Sequence, residues 1–321
     1  MKTICYYGYD WAGNIGNAFI DYTINYCLRR ALDGQDFVIN QASNQPAYLK
    51  YNFALRKPFR WLIQKPSSFD LRQHMLPDYV VMGAALFDIY WTKNHASLLK
   101  WLGDNKIKVI ILGGGGGNKY SREEIDYVKS YWKNINVVSF IARDERCYDN
   151  FKDVFKENYL GIDNAFFLKD AFIPAKLDIE NLGVKTFDLT SLGKDVIFPG
   201  GYTVVTTRHR VFDVDSIKFA IRNGWRTYSI VGSTDLISDC PEDYLNLYGN
   251  SKITHSDRVH ACVATLSFGG KAQYYDTSDR SALFERVGVK DINKHLVQLN
   301  QDYIAKEKEK QIDYLKSVFL K

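Results

Sequence analysis

One short stretch of the sequence places an arginine and a histidine where they could bind an anion and move a proton. Arg258 and His260 open a run of mostly small or apolar residues that ends at Gly269. Such a run predicts a buried helix, capped by Ser256 or Asp257 and ended by the glycine. In the first turn of a helix, the dipole and the free backbone N–H groups attract an anion and favour a neutral imidazole. We therefore interpret His260 and Arg258 as catalytic residues, with a hydrogen-bonded core role for His260 as the open alternative.

A second group of cations follows the strand predicted over 203–207. Arg208 and Arg210 lie directly after it, and guanidinium groups that face a cleft can hold a carboxylate or a phosphate. A solvated loop explains these two residues equally well. With Ser256 and Arg258, they make up the predicted set of donor ligands.

Two glycine-rich turns follow the strands predicted over 3–9 and 108–112. Glycine permits positive φ and close approach of a ligand, and the backbone N–H groups of a glycine run can cradle an anion. A plain tight turn is the alternative for the first of these turns. The second is neither a P-loop nor a dinucleotide fingerprint, because it continues with Asn118, Lys119 and Tyr120. The candidate acceptor or cleft residues from these turns are Asn14, Gly16, Asn17, Gly114, Gly115 and Gly116.

Two charged residues also follow predicted strands. Arg143 comes after the strand at 137–142, and Asp163 comes after the strand at 159–162. Because ligands of open parallel sheets bind beyond the carboxyl ends of the strands, both residues are candidates for the same cleft. A capping or surface role is the alternative for Arg143.

These candidates need a scaffold that brings strand ends together, and the hydrophobic pattern predicts one. Short apolar runs indicate buried parallel strands, and the longer amphipathic segments between them indicate helices. Ser121 and Glu124 form a capping box that fixes the start of one helix. The predicted strands cover 3–9, 37–41, 78–82, 108–112, 137–142 and 159–162, and the helices include 18–32 and 121–134. This alternation predicts a doubly wound α/β fold.

The alternation stops over 170–199 and then resumes, which predicts two domains. The interrupted stretch contains prolines and glycines without a sustained period, so we place a linker there. Beyond it we expect strands at 203–207, 226–231, 252–254 and 272–275, and helices at 214–223, 242–248, 258–268 and 292–320. The predicted boundaries are 1–175 and 176–290 for the domains, and 291–321 for a C-terminal helix near their interface. The charge run at 306–310 predicts a solvated face of that helix.

Composition and charge argue against several classes of protein. The chain has 321 residues, 46% of them hydrophobic, and its net charge of +5 is too small to indicate a nucleic-acid partner. No apolar run approaches the roughly 18 residues of a membrane-spanning helix, and the N-terminus has no signal-peptide pattern. The five cysteines are scattered without a C-x-x-C pair, which indicates buried thiols rather than disulfides or a metal site. We therefore predict a cytoplasmic protein without a metal ion.

The segment 50–65 combines cations with aromatic and apolar side chains. An interfacial anchor needs this combination, with rings at the headgroup level and cations near an anionic leaflet. The alternative is that the rings pack on the first sheet, while Pro58 and Pro66 shape a loop. Both interpretations stay open, and the first predicts peripheral contact with the inner membrane face. The cations concerned are Lys50, Arg56, Lys57, Arg60 and Lys65.

Taken in order along the chain, these motifs resemble the polysaccharide pyruvyl transferase family. The matching pieces are 13–17, the glycine run after 109–112, 142–146, 161–165, 256–261 and Asp276. The resemblance implies two Rossmann-like domains that face each other across a cleft, similar to the GT-B glycosyltransferases, with the acceptor side in 1–175 and the donor side in 176–290. It also implies that Arg258 and His260 serve donor binding and catalysis. The chain departs from the family at Asn17, where many members have aspartate, and at Val259, where leucine is commoner.

The activity that the resemblance implies is transfer of pyruvate from phosphoenolpyruvate onto two sugar hydroxyls as a cyclic ketal. The partners would be phosphoenolpyruvate as co-substrate and a saccharide acceptor, either free or lipid-linked, with no other cofactor. Two alternatives stay open. One is a nucleotide-sugar glycosyltransferase of the same architecture, for which Glu242 and Asp243 are candidate ribose ligands. The other is a two-lobed binding protein without catalysis.

Overall fold

A computed structural model describes most of the chain. The described residues are 1–8, 15–43, 70–116, 120–179, 182–186, 195–199, 235–236, 238, 240–276 and 279–320. Asn14, Arg208, Arg210 and the segment 50–65 lie outside these ranges, as do the elements predicted at 203–207, 214–223 and 226–231.

The chain divides into two compact units. The first comprises Met1–Ala12, Cys27–Gly161 and Gln311–Lys321, and the second comprises Gly13–Tyr26 and Ile162–Lys310. After Gly161 the chain thus passes from the first unit into the second, ahead of the stretch where the sequence predicts a linker. The predicted domain boundaries remain a prediction.

The first unit contains a six-stranded parallel sheet. Its strand order is β2-β1-β3-β4-β5-β6, so the order reverses between β1 and β3. All six strands predicted for this part of the chain are confirmed, with ends that differ by at most two residues. The strands are β1 (Lys2–Gly8), β2 (Phe37–Ser43), β3 (Tyr79–Gly83), β4 (Lys108–Gly114), β5 (Val137–Ala142) and β6 (Asn158–Leu160).

Side chains at the helix starts explain where the helices of the first unit begin. The Ser121 hydroxyl accepts the Glu124 N–H, which confirms the predicted cap. Asp88 and Asp144 cap two other helices through the Trp91 and Cys147 N–H groups. The helices are α1 (Gly16–Ala31, which runs from the second unit into the first), α2 (Ile89–Asp104), α3 (Arg122–Trp132) and α4 (Glu145–Phe151), with short 3-10 helices at Leu71–His74 and Lys152–Val154.

Large aromatic rings fill the core of the first unit. Phe87 stacks on Trp132 with ring centroids 5.1 Å apart, and it also packs against Phe140 and Phe151. These rings belong to one buried cluster that includes side chains of β1, β3, β4 and β5 and of α2, α3 and α4. Burial of such rings dominates core energetics and holds the strand ends in place.

The second unit contains a five-stranded mixed sheet. Its order is β11-β10-β7-β8-β9, with β11, β10 and β7 parallel and β8 and β9 antiparallel to their neighbours. Two of these strands lie in 170–199, the stretch in which the sequence shows no sustained period and where we place the linker. The strands are β7 (Leu182–Thr186), β8 (Asp195–Pro199), β9 (Asp235–Leu236), β10 (Ile253–Ser256) and β11 (Lys271–Tyr274).

The helices predicted in the second half of the described chain are confirmed, with one shortened. The predicted helices are α6 (Pro241–Asn250), α7 (Val259–Ser267) and the shortened α9 (Gln301–Leu320), whereas the short helices α5 (Leu168–Ala171) and α8 (Ala282–Arg286) were not predicted, nor were the 3-10 helices at Asn164–Phe167 and Asp279–Ser281. Every residue of α7 is buried, as its apolar composition predicts. Gly269 has a positive φ of 98° and donates to the Leu266 carbonyl, while Gly270 donates to the Thr265 carbonyl. This pair of bonds is a Schellman motif, which ends the helix at the predicted glycine.

The charge run near the start of α9 is only partly solvated. Glu307 lies in the run, yet its side chain is 7% exposed and pairs with Arg286 of α8. Lys308 pairs with Asp170 at 2.6 Å and lies over the Phe167 ring. The prediction of a solvated charged face is therefore wrong at Glu307.

The cysteines are mostly but not all buried. Cys5, Cys27, Cys147 and Cys262 are buried free thiols, as predicted, whereas Cys240 is exposed. Within the described ranges no helix is long and apolar enough to cross a membrane.

Candidate active site

The predicted catalytic residues lie at the N-terminus of α7, just past β10. Arg258 is the N-cap residue and makes no side-chain cap, and its own N–H donates to the Ser256 hydroxyl at 2.9 Å. Neither Ser256 nor Asp257 therefore caps the helix in the predicted way. His260 is the second helical residue, so both candidates flank the N-terminal end where backbone N–H groups and the dipole favour an anion.

His260 faces a buried carboxylate. Its Nε2 lies 3.7 Å from Asp163 Oδ2, and the two side chains are 10% and 1% exposed. This separation is too long for a hydrogen bond but brings the two groups together as a charge pair once the ring is protonated. Nε2 is buried and has no hydrogen-bond partner among the described residues. The structure thus joins two residues that the sequence analysis assigned to different parts of the site.

The backbone around Asp163 is tied to α7. Asp163 Oδ1 accepts the Ala165 N–H at 2.9 Å and so caps the 3-10 helix Asn164–Phe167. The Ala165 carbonyl in turn accepts a hydrogen bond from the Ser267 hydroxyl of α7 at 3.2 Å. These bonds fix the carboxylate relative to the helix that carries His260.

A histidine–tyrosine pair lies beside this cluster. His255 Nδ1 and the Tyr275 hydroxyl are 2.8 Å apart, and burial raises the pKa of Tyr275 above its ordinary range. Neither residue is among the predicted site residues. Because His255 directly precedes Ser256, its position next to the predicted motif is the signal that could have identified it.

The glycine run of the first unit makes room for the protein's own side chains. A Cβ added at Gly115 would lie 2.3 Å from Arg143 Nε, and one added at Gly116 would lie 1.8 Å from the Tyr120 hydroxyl oxygen. At Gly114 the nearest atoms belong to the Phe140 and Phe87 rings. A side chain at Gly115 or Gly116 would therefore displace Arg143 or Tyr120, so these glycines accommodate packing in addition to any role toward a ligand.

A buried carboxylate lies next to these glycines and was not predicted. Burial raises the pKa of Asp144, although backbone N–H groups of Cys147 and Gly116 and the neighbouring Arg143 act in the opposite direction. Arg143 is itself buried, and its N–H donates to the Gly114 carbonyl at 2.9 Å. The loops after β4 and β5 are thus joined into one polar cluster.

The loop after β3 belongs to the same part of the first unit. Ala84 has a positive φ of 49°, uncommon for a residue with a side chain, and its N–H donates to the Leu112 carbonyl. Gly115 exchanges two further backbone hydrogen bonds with Ala85 and Phe87. Since ligands of open α/β sheets bind where the strand order reverses, at β1 and β3 here, this loop is a candidate that the sequence analysis missed.

The described candidates fall into two groups. The second unit holds Gly16, Asn17, Asp163, Ser256, Arg258 and His260, and the first unit holds Gly114, Gly115, Gly116 and Arg143. Of these, His260 lies 3.7 Å from Asp163, and the Arg143 side chain packs against Gly115. Gly16 is the buried first residue of α1, and Asn17 beside it is half-buried.

The two carboxylates considered as ribose ligands have partners within their own segment. Asp243 accepts a hydrogen bond from the Ser238 hydroxyl at 2.6 Å, and Glu242 accepts one from the Cys240 thiol at 3.0 Å. Both lie in the first turn of α6, where acidic side chains stabilise a helix.

The chain is similar to a known family in sequence and to a solved structure in fold. No curated protein matches the sequence. One similar solved structure is that of a functionally uncharacterised protein from Klebsiella pneumoniae, with 13% identity, a TM-score of 0.50 and 91% of each chain covered. At this identity the likeness concerns the fold alone. The sequence model of the polysaccharide pyruvyl transferase family matches residues 14–272, which include every candidate site residue. The chain belongs to the polysaccharide pyruvyl transferase family.

Proposed function

We propose that this protein, an enzyme of the transferase type with a role in polysaccharide biosynthesis, moves a pyruvyl group from phosphoenolpyruvate onto two hydroxyls of a sugar. The methylene carbon of the donor gains one proton and becomes a methyl group. The two sugar oxygens bond to the neighbouring carbon, and the phosphate leaves with the second hydroxyl proton. The products are a cyclic ketal that keeps the carboxylate and one inorganic phosphate.

The observation that carries this proposal is the arginine and histidine at the N-terminal end of α7. Phosphoenolpyruvate is a small trianion, so its binding needs guanidinium groups and backbone N–H donors. Arg258 lies where both are available, and Ser256, the last residue of β10, adds a hydroxyl two residues earlier. Arg208 and Arg210 are proposed as further donor ligands.

His260 is proposed to move the protons. It gives a proton to the methylene carbon and recovers one from a sugar hydroxyl, which is the work of a general acid and base. The Asp163 carboxylate at 3.7 Å stabilises the charge of the protonated ring. A further acid or base is not needed for the balance of protons.

The acceptor is proposed to bind through the glycine turns and the residues after β5. These are Asn14, Gly16, Asn17, Gly114, Gly115, Gly116 and Arg143. We propose that the reaction takes place in the cytoplasm in a cleft of GT-B type, needs no cofactor beyond phosphoenolpyruvate, and supplies cell-surface exopolysaccharide or glycolipid.

Thermal unfolding in the presence of ligands tests the donor assignment. A ligand at 100 times its dissociation constant stabilises the folded state by roughly 2.7 kcal/mol. We expect phosphoenolpyruvate to raise the melting temperature and nucleoside diphosphates to leave it unchanged. Stabilisation by a nucleoside diphosphate alone would instead favour a glycosyltransferase of the same architecture.

A further inference from the structure

We propose that Asp163 is a positioning residue that holds the Nε2–H side of His260, so that Nδ1 is the ring nitrogen that exchanges a proton with the substrates. The catalytic part of this inference rests on the proposed function. The orientation of the ring and the site of its proton do not, and they can be measured in the protein without substrate.

Burial decides which nitrogen a substrate can reach. Nε2 has essentially no accessible surface, although the His260 side chain as a whole is 10% exposed. The exposed 10% of the His260 side chain therefore belongs to atoms other than Nε2. Of the two ring nitrogens, Nδ1 is the one left for contact with a bound donor.

The charge next to Nε2 decides where the proton of the neutral ring lies. A neutral imidazole carries one N–H, and its other nitrogen is an acceptor. A carboxylate oxygen 3.7 Å away favours the N–H on the nitrogen that faces it, which is Nε2. The lone pair is then on Nδ1, and a proton taken up there gives an imidazolium whose charge the buried carboxylate stabilises.

Asp163 is held in place for this role. Its Oδ1 accepts the Ala165 N–H, which leaves Oδ2 directed at the ring, and its side chain is 1% exposed. Catalytic hydrogen bonds are often long before substrate binds, so a movement of less than about 1 Å would bring Nε2 and Oδ2 to ordinary hydrogen-bond distance. Water cannot easily replace the carboxylate at a position this buried.

The test is ring-nitrogen NMR on protein labelled with ¹⁵N-histidine. The chain has six histidines, and the His260 signals are identified by their loss in His260→Gln. The spectra are recorded at about pH 9 so that the neutral form of the ring can be observed. We expect Nε2 to carry the hydrogen and Nδ1 to show an acceptor-type shift.

Asp163→Asn separates the electrostatic role from the structural one. Asparagine caps a helix about as well as aspartate, so the 3-10 helix at 164–167 should persist, and the melting temperature checks that it does. We expect the variant to lose the preference for the Nε2–H form. Asp170→Asn, at a partly exposed ion pair in the same unit, serves as the matched control and should leave the His260 spectrum unchanged.

Kinetics add a second readout. Asp163→Asn should lower kcat by about 10²-fold, within the range of a general acid or base, while the KM for phosphoenolpyruvate changes by less than about threefold. A wild-type ring that carries its hydrogen on Nδ1, or a spectrum that Asp163→Asn leaves unchanged, overturns the positioning role. If the spectra behave as expected and phosphoenolpyruvate is not turned over, the positioning role stands and the proposed function fails.

Discussion

Arg258 and His260 carry different parts of the proposed reaction, so replacing each should separate donor binding from proton transfer. His260→Ala removes the group that moves protons and should lower turnover by roughly 10²–10⁴-fold. Arg258→Ala removes a donor ligand and should mainly raise the KM for phosphoenolpyruvate. Both effects are measured by phosphate release at varied donor concentration.

The control for these variants is His295→Ala, an exposed histidine of the same unit. It should match the wild type in both kcat and KM. Unchanged turnover in His260→Ala would remove the histidine from the mechanism.

The cysteines should differ in reactivity. A cysteine reacts as its thiolate, so a buried thiol with a raised pKa reacts more slowly than an exposed thiol. Burial raises the pKa of Cys5 to about 11 and that of Cys147 well above its ordinary value, whereas Cys240 is exposed. An aromatic disulfide reagent at pH 8 should therefore titrate one thiol quickly in the native protein and all five after unfolding. Cys240→Ser should abolish the fast thiol. Several fast thiols in the native protein would contradict the burial described here.

At the scale of single residues, the sequence predicts which residues belong to the site more readily than it predicts which of them contact each other. Arg258 and His260 could be predicted because a buried helix with an arginine and a histidine at its start is visible in the order of residue types. The approach of Asp163 to His260 could not, because it joins residues far apart in the chain. The packing role of Gly115 could not be predicted either, since the neighbouring Arg143 side chain comes from the loop after a different strand, β5.

At the scale of elements, the part-buried ion pair between Arg286 and Glu307 links α8 to α9. Burial alone would raise the pKa of Glu307, but hydrogen bonds from Lys310 and Arg286 outweigh it, and the pKa is lowered from 4.5. Glu307→Gln should lower the free energy of unfolding at pH 7 by about 2 kcal/mol, because it removes a charge-assisted hydrogen bond from the half-buried Arg286 guanidinium. Denaturant unfolding at a series of pH values measures this.

The pH dependence follows from the sign of the shift. Because the pKa is lower in the folded state, the stabilisation is fully present above the unfolded value of 4.5 and is lost as pH falls through the folded value. The difference between wild type and Glu307→Gln should therefore shrink below about pH 4. Glu285→Gln, an exposed residue of α8, is the matched control. A difference that stays constant down to pH 3 would contradict this explanation.

The elements of the first unit follow from the sequence because parallel strands buried on both faces are continuous apolar runs. The strands β7 and β8 do not, since β7 contains Gly183 and β8 ends at Pro199, two residues that usually interrupt strands. The last helix shows the opposite problem. The sequence predicts that its charged run is solvated, yet Glu307 is buried and forms an ion pair with Arg286.

At the scale of the whole molecule, the segment 50–65 predicts contact with an anionic membrane. Each cation near such a surface adds about 1 kcal/mol to binding. Wild-type protein should sediment with anionic liposomes at low salt and stay in solution with neutral ones. Replacement of Arg56, Lys57 and Arg60 by serine should abolish the binding. Equal binding by the triple variant would show that this segment is not the anchor.

The sequence predicts the α/β fold class but not the direction of every strand. Regular alternation of strands and helices indicates α/β units, and the six-stranded parallel sheet of the first unit confirms this class. The antiparallel strands of the second sheet could not be predicted, because strand direction depends on long-range pairing that a short apolar run does not encode.

The central claim is tested most directly by phosphate release from phosphoenolpyruvate with a panel of galactose-, glucose- and mannose-containing acceptors. We predict release that depends on one class of acceptor, is matched by an equal amount of ketal in the product, and is lost in His260→Ala. Release without any acceptor-linked ketal, or no release with any acceptor in the panel, would contradict the account.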